Sequence, residues 1–395
     1  TAGQSIMAGP FTARWRRRPL VTPTPPAQTC PRRPVDGALR NMGDHLAKRA
    51  SSVAALTTLL LSPFEAGACP VCLGTANDTP SIVRQIGNAS TVVVARATQS
   101  PRKFRIVGIL KGSSRVPDEV QIAAVDMPSS SFAPGSLVAL GRHPLLTNWT
   151  PIAEVSEEHV DWLKRLAAMK RESELDKEGW RARARNFAAE LFDPAPLVSG
   201  NARREIAAAP YDAIRSLAGR IEPARIMAEL ARPESGPDAA LYLVLLGASA
   251  DSSAATYIKE RARSIRSLPE RDAAALFTAW LEIDTPTALE FAGRMLRETT
   301  TPTSLVIALF TGLRTQGDLP DKRDRIVDFY RGLIADAPMR VGYIANDLQA
   351  WRVWALAPRV ADVAGSPGVD ESARLLAGVY VRAARDGQPV ETRTQ

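Results

Sequence analysis

Cysteine and histidine are scarce, with three of each in 395 residues: Cys30, Cys69, Cys72, His45, His143 and His159. A site built from several thiolate or imidazole ligands has too few residues to draw on. Long apolar runs are also missing. The twelve-residue stretch Val53–Phe64 falls short of the roughly 20 residues a membrane-spanning helix needs. The formal charge of +8 is concentrated at one end. Nine of the 50 Lys/Arg and three of the 42 Asp/Glu lie in residues 1–68, which leaves 41 against 39 in the rest. That balance gives no electrostatic reason to expect nucleic acid or an anionic membrane as partner. Ser129-Ser130-Ser131 sits in a Pro/Ser/Gly loop and lacks the G-x-S-x-G setting of a nucleophile. Leu73 follows Cys72 where haem attachment would need histidine.

The chain is organised around what surrounds Val53–Phe64. Lys48 and Arg49 precede it, and Ala66-Gly67-Ala68 and then Cys69 follow. A basic region, a short apolar region and a small-residue cleavage site predict a signal peptide over 42–68. Cys69 becomes the first mature residue and the protein is extracytoplasmic, in the periplasm or secreted. A lipid anchor on Cys69 is the alternative, although Ala66 stands where such signals carry leucine. Residues 1–41 are rich in Arg and Pro without apolar periodicity, and read as sequence upstream of a start at Met42. A basic arm is the other reading.

From Thr75 to Val155 the pattern is one of short strands. Thr91–Ala95, Phe104–Leu110, Val120–Ile122, Leu137–Leu140 and Pro151–Val155 are apolar or β-branched and are separated by turn clusters. A helical turn or two is expected at Ile82–Ile86. Five short strands predict a small OB-like β-barrel over 69–155. At Ser156, a candidate N-cap, the pattern changes. Thirteen further helices are expected after the first, running from Lys177–Phe192 to Glu371–Ala384 and stopped by Pro or Gly. Their spacing, about 16 residues per helix, is that of stacked two-helix repeats. The predicted fold is α+β in two domains, a barrel and then an all-α solenoid over 156–385. Residues 386–395 are expected to be a disordered tail.

Cys69-x-x-Cys72, Thr91-Val-Val-Val-Ala95 and Phe104-Arg-Ile-Val-Gly-Ile-Leu-Lys-Gly112 together resemble the netrin-like domain of tissue inhibitors of metalloproteases. There a mature N-terminal cysteine precedes an OB-type barrel. Those inhibitors carry C-x-C and partner cysteines in the barrel, and this chain has neither. The resemblance implies the fold and no inhibitory residue. The stretch Arg183-Ala-Arg-Asn-Phe187, Leu191-Phe-Asp-Pro194 and Ala207-Ala-Ala-Pro-Tyr-Asp-Ala-Ile214 resembles a family of exported bacterial proteins. These have Cys-Pro-x-Cys, a small barrel and a HEAT-like array. That resemblance implies the architecture and no activity.

Cys69-Pro-Val-Cys72 is the sharpest motif. Its readings are a structural disulfide in an oxidising compartment, a redox or thiol-exchange pair, and half of a metal site. Arg181, Arg183 and Arg185 alternate, so a helix would spread them over more than one face, as a solvated surface or an acidic contact. Trp351 and Trp354 stand at i, i+3 on one helical side, as core packing or as an aromatic anchor. His143 and His159 read as solvated or hydrogen-bonded. No catalytic residue, metal ligand set or cofactor is assigned. The functional expectation is a non-enzymatic binding or scaffolding protein of the cell envelope that holds a protein partner on its helical array. A thiol-dependent redox or metal-handling factor acting through Cys69 and Cys72 is the alternative, and an enzyme using carboxylates alone stays open.

Overall fold

A computed structural model describes residues 69, 71, 80–113, 115–123, 132–145 and 148–387, all within one compact unit, Pro63–Gln395. The expected signal peptide, Cys72 and the Ser129–Ser131 loop lie outside the described residues, as do 388–395.

The fold is α+β: a curled five-strand antiparallel sheet, about half a barrel, precedes a helical array. Helix α1 (Ile82–Asn88) leads into β1 (Thr91–Ala97), β2 (Lys103–Lys111), β3 (Glu119–Gln121), β4 (Leu137–Arg142) and β5 (Trp149–Val155). The sheet order is β3-β2-β1-β4-β5. A parallel bridge between Ile122 and Trp149 draws the two outer strands together. Strand β1 is central and apolar, so its alternating side chains feed two cores. Val93 and Ala95 point with Val138, Leu140, Phe104 and Trp149 into the curl. Val92 and Val94 point with Leu137 and Ala139 toward the helices. One apolar core is thus continuous from the outer sheet face into the array.

The Leu110-Lys111-Gly112 word has a local explanation. Lys111 Nζ donates to the Ile86 and Gly87 carbonyls at 2.8 and 2.9 Å, closing the C-terminal end of α1. Gly112 has φ +100°, and a Cβ there would come within 2.6 Å of the Ser90 carbonyl oxygen. Ser156 does not cap a backbone amide: its hydroxyl bonds Glu158 and His159 Nδ1. A 3-10 turn at Glu157–His159 then starts α2 (Val160–Ala167).

The array continues with α3 (Lys177–Glu190), α4 (Pro196–Ala207), α5 (Tyr211–Arg215), α6 (Pro223–Leu230), α7 (Ala239–Ala248) and α8 (Ser252–Ala262). It ends with α9 (Glu270–Ile283), α10 (Thr285–Arg297), α11 (Thr303–Gly317), α12 (Pro320–Asp336), α13 (Val341–Ala350), α14 (Ala357–Ala364) and α15 (Glu371–Gly387). Local chemistry sets the starts. Asp176, Asp251 and Asp284 accept first-turn amides, and Pro196, Pro223 and Pro320 stand in first turns. Helices α7, α9 and α11 stack in one layer. Where they touch, glycines let the helices approach closely: a Cβ on Gly247 would lie 2.5 Å from Ala279, and one on Gly312 would lie 2.7 Å from the Phe277 ring. Gly342 of α13 meets Ala373 of α15 in the same way, at 2.8 Å. Helix α15 runs to Gly387, so residues 386 and 387 are helical and not part of a tail.

Candidate functional site

The site is assembled at the word Ala209-Pro210-Tyr211. The Cys69 backbone N–H donates to the Ala209 carbonyl at 3.0 Å, and Cys69 is fully buried. Pro210 fixes the entry to α5, whose first residue is Tyr211. The Tyr211 hydroxyl donates to Glu282 Oε2 at 3.2 Å and accepts from Gln316 Nε2 at 3.0 Å. Gln316 Nε2 also donates to the Thr278 carbonyl and to Glu282 Oε2, at 3.0 and 3.1 Å. Arg215, one turn beyond Tyr211, donates from Nε to Glu282 Oε1 at 2.9 Å and from Nη1 to Asp321 at 3.0 Å. Burial holds the Tyr211 phenol well above its ordinary pKa, and the neighbouring Glu282 and Cys69 push it the same way. Tyr211 is therefore a neutral donor. Gln316 Oε1 is buried and has no hydrogen-bond partner among the described residues.

This buried constellation reaches solvent through Arg215. A depression of about 480 Å³ is lined by Arg215, Asp321, Lys322, Asp324, Arg325 and Asp328, so three cations face three carboxylates. A second depression of about 310 Å³ lies between α10 and α12, with Leu289, Gly293, Phe329, Gly332 and Leu333 in its walls. Asp328 belongs to both, so the two form one open shelf along α12. Behind the shelf is another buried acid. Asp347 on α13 is 4% exposed and accepts from the Tyr330 hydroxyl at 2.6 Å. Burial raises its carboxyl to about 7, against the opposing effects of the Tyr330 bond and Arg314. Asp318, raised by burial as well, accepts the Trp351 indole N–H at 2.8 Å.

The residues singled out from sequence are dispersed. Arg183 is not on a solvated face: it is 6% exposed and pairs with buried Glu205 at 2.6 Å. It also donates to the Lys170 carbonyl at 3.0 Å and lies over Trp180. Glu205 in turn accepts from Ser81, the N-cap of α1, while Asn201 accepts the Ile82 amide, so this pair anchors the start of the sheet region. Arg181 and Arg185 are partly exposed and meet Glu178, and Arg181 also meets Asp212.

Trp351 and Trp354 do not share a helix side. Helix α13 ends at Ala350 and Arg352 turns left-handed, φ 56°, so the two indoles diverge. Trp351 is buried and stacks on Tyr330 at 5.9 Å, whereas Trp354 packs on Tyr380 at 5.6 Å. His143 Nδ1 accepts the Leu145 amide, and His159 stands edge-on to Trp162.

Among the described residues there is no disulfide, and Cys72 lies outside them. Among the same residues no three His, Cys, Asp or Glu side chains are grouped to hold a metal ion, and no helix is long and apolar enough to cross a membrane. Glu282, Gln316 and Asp347 were not found from sequence. Their one signal is a polar residue on the apolar side of an array helix. Comparison with protein-family models, with curated proteins and with solved structures finds no match to this chain.

Proposed function

We propose that this chain is an extracytoplasmic, non-enzymatic binding protein that holds a protein partner on the α12 shelf of its helical array. The observation that carries this reading is the division of labour among ionisable groups. Tyr211, Tyr330, Asp318 and Asp347, whose protonation burial favours, are each engaged in internal hydrogen bonds. The shelf instead carries alternating charge at its surface, part of it paired within the chain as in Arg215–Asp321 and Asp328–Arg331, beside an apolar trough, a surface suited to recognition. Gly332 lies in mid-helix in that trough, and a Cβ on it would meet nothing within 4 Å. On this reading the half-barrel is OB-like and the array HEAT-like, in keeping with the resemblance to exported two-part proteins. Export through the 42–68 signal and an oxidised Cys69–Cys72 pair belong to the same proposal. Full burial of Cys69 weighs against lipid attachment and thiol exchange at that sulfur.

The test is capture from envelope extract by the wild-type chain and by Gly332→Trp, which fills the trough without touching the core. A partner retained by wild type and lost from Gly332→Trp supports the shelf. A partner that binds both equally, or no partner, defeats it.

A further inference from the structure

Helix α15 closes the array and carries two stripes of the same i, i+4, i+7, i+11 spacing. Ala373, Ala377, Tyr380 and Ala384 are buried, and the helix packs on α13 and α14. Glu371, Leu375, Gly378 and Arg382 are exposed on the other side of the helix. Leu375 is 67% exposed, and Leu376 and Val379 beside it are 42% and 40% exposed. Among the described residues no element covers this side, which mixes leucine, valine and glycine with Glu371 and Arg382.

Two more observations concern the same stripe. A Cβ on Gly378 would meet nothing within 4 Å, so packing inside the chain does not call for glycine there. A mid-helix glycine costs roughly 1 kcal/mol relative to alanine. Glu371 and Arg382, at the two ends of the stripe, have opposite charge and enter no ion pair among the described residues.

We propose that α15 is a self-association face, on which a second copy of this chain packs its own α15 in antiparallel fashion about a two-fold axis. The sequence of the stripe fixes the register. With the axis between Leu376 and Ala377, Leu375 sits on the partner's Gly378 and Glu371 meets the partner's Arg382. Two-fold symmetry makes each contact occur twice. A leucine over a glycine lets the helices approach closely, as Gly247 and Gly312 do inside the array. An in-register parallel arrangement would oppose Glu371 to Glu371 and Arg382 to Arg382, so charge selects the antiparallel one.

Sedimentation velocity of the full chain over roughly 1–100 µM tests this. The wild type is expected to shift from monomer to dimer across that range. Leu375→Glu should raise the dissociation constant by about tenfold or more, with an unchanged melting temperature because the residue is exposed. Glu371→Arg and Arg382→Glu should each weaken the dimer, and the double reversal should restore it, a recovery that general surface damage would not give. A chain that stays monomeric throughout, as when residues 388–395 or another protein cover α15, overturns the proposal. So does a dimer indifferent to Leu375→Glu, or a double reversal that fails to recover.

Discussion

Arg183 shows how much a single side chain depends on what lies across from it. In sequence it is the middle of three alternating arginines, and surface arginines can be changed at a cost within about 0.5 kcal/mol. In the fold it neutralises Glu205 where neither has access to water. Arg183→Met should therefore destabilise by about 3–5 kcal/mol in urea titration, because it strands a buried carboxylate. Adding Glu205→Gln should recover part of the loss, and additive effects would refute the coupling.

Asp347 makes a prediction about pH. Its folded carboxyl titrates near 7 against an ordinary value of 3.8, so the folded protein holds the proton more tightly than the unfolded chain does. The stability this adds is complete below pH about 4 and is lost as pH rises to about 7. Asp347→Asn keeps an acceptor for Tyr330 and cannot ionise. Its melting temperature relative to wild type should rise by several degrees between pH 5 and pH 8; a constant difference would count against a buried titrating acid. Neither residue's role was legible, because partners such as Glu205 and Tyr330 are supplied by other helices. Cys69 is different, since its motif was plain and its expected partner, Cys72, is three residues on. Under the proposed export, protein purified from the cell envelope should show no thiol on denaturing alkylation, and two thiols per chain starting at Cys69 would refute the disulfide.

Strands and helices were far more legible than sites. All five strands and the helices of the array follow from β-branched runs, Pro and Ser/Thr starts, and apolar spacing, each a local property. The sheet's curl was less so, because the Ile122–Trp149 bridge joins segments far apart in sequence. The repeat became readable only through its contacts: Gly247 on Ala279, Thr278 on Gly312 and Gly342 on Ala373 recur at roughly 31–34 residues. A word search misses this, since what repeats is one glycine facing a changing neighbour, the Phe277 ring included. The glycines give opposite predictions. Gly247→Ala should destabilise by about 1–3 kcal/mol, because its Cβ would lie 2.5 Å from Ala279. Gly332→Ala should stabilise by up to about 1 kcal/mol, since it gains helix propensity in open space. Paired urea titrations read both, and equal signs would mean that propensity alone governs these positions.

For the whole molecule, the continuous core matters more than the change from strands to helices at Ser156. The connection around Lys170–Asp176 is exposed in places, yet Arg171 pairs with Glu174 and the Lys170 carbonyl is held by Arg183. Limited proteolysis there should nick the chain without releasing its halves. The two fragments should co-elute in native size exclusion and separate only in denaturant, and native dissociation would show that the shared core is weak. The near balance of charge in residues 69–395 agrees with this picture, because much of it is spent in pairs across the array.

Ser81 is bonded to Glu205 across 124 residues of sequence. At a synthesis rate of roughly 5–20 residues per second, the serine precedes its partner by about 6–25 s. During that interval the curl can close on itself, since Val93, Phe104, Leu140 and Trp149 all emerge before Glu205. The other side of the sheet, with Val92, Val94, Leu137 and Ala139, has only the short α1, through Ile82, Val83 and Ile86, to rest on until the later helices arrive. The order in which the chain emerges thus leaves a greasy sheet face waiting on its own downstream sequence, and a holdase that shields such faces would raise the yield of this protein more than a faster folding catalyst would.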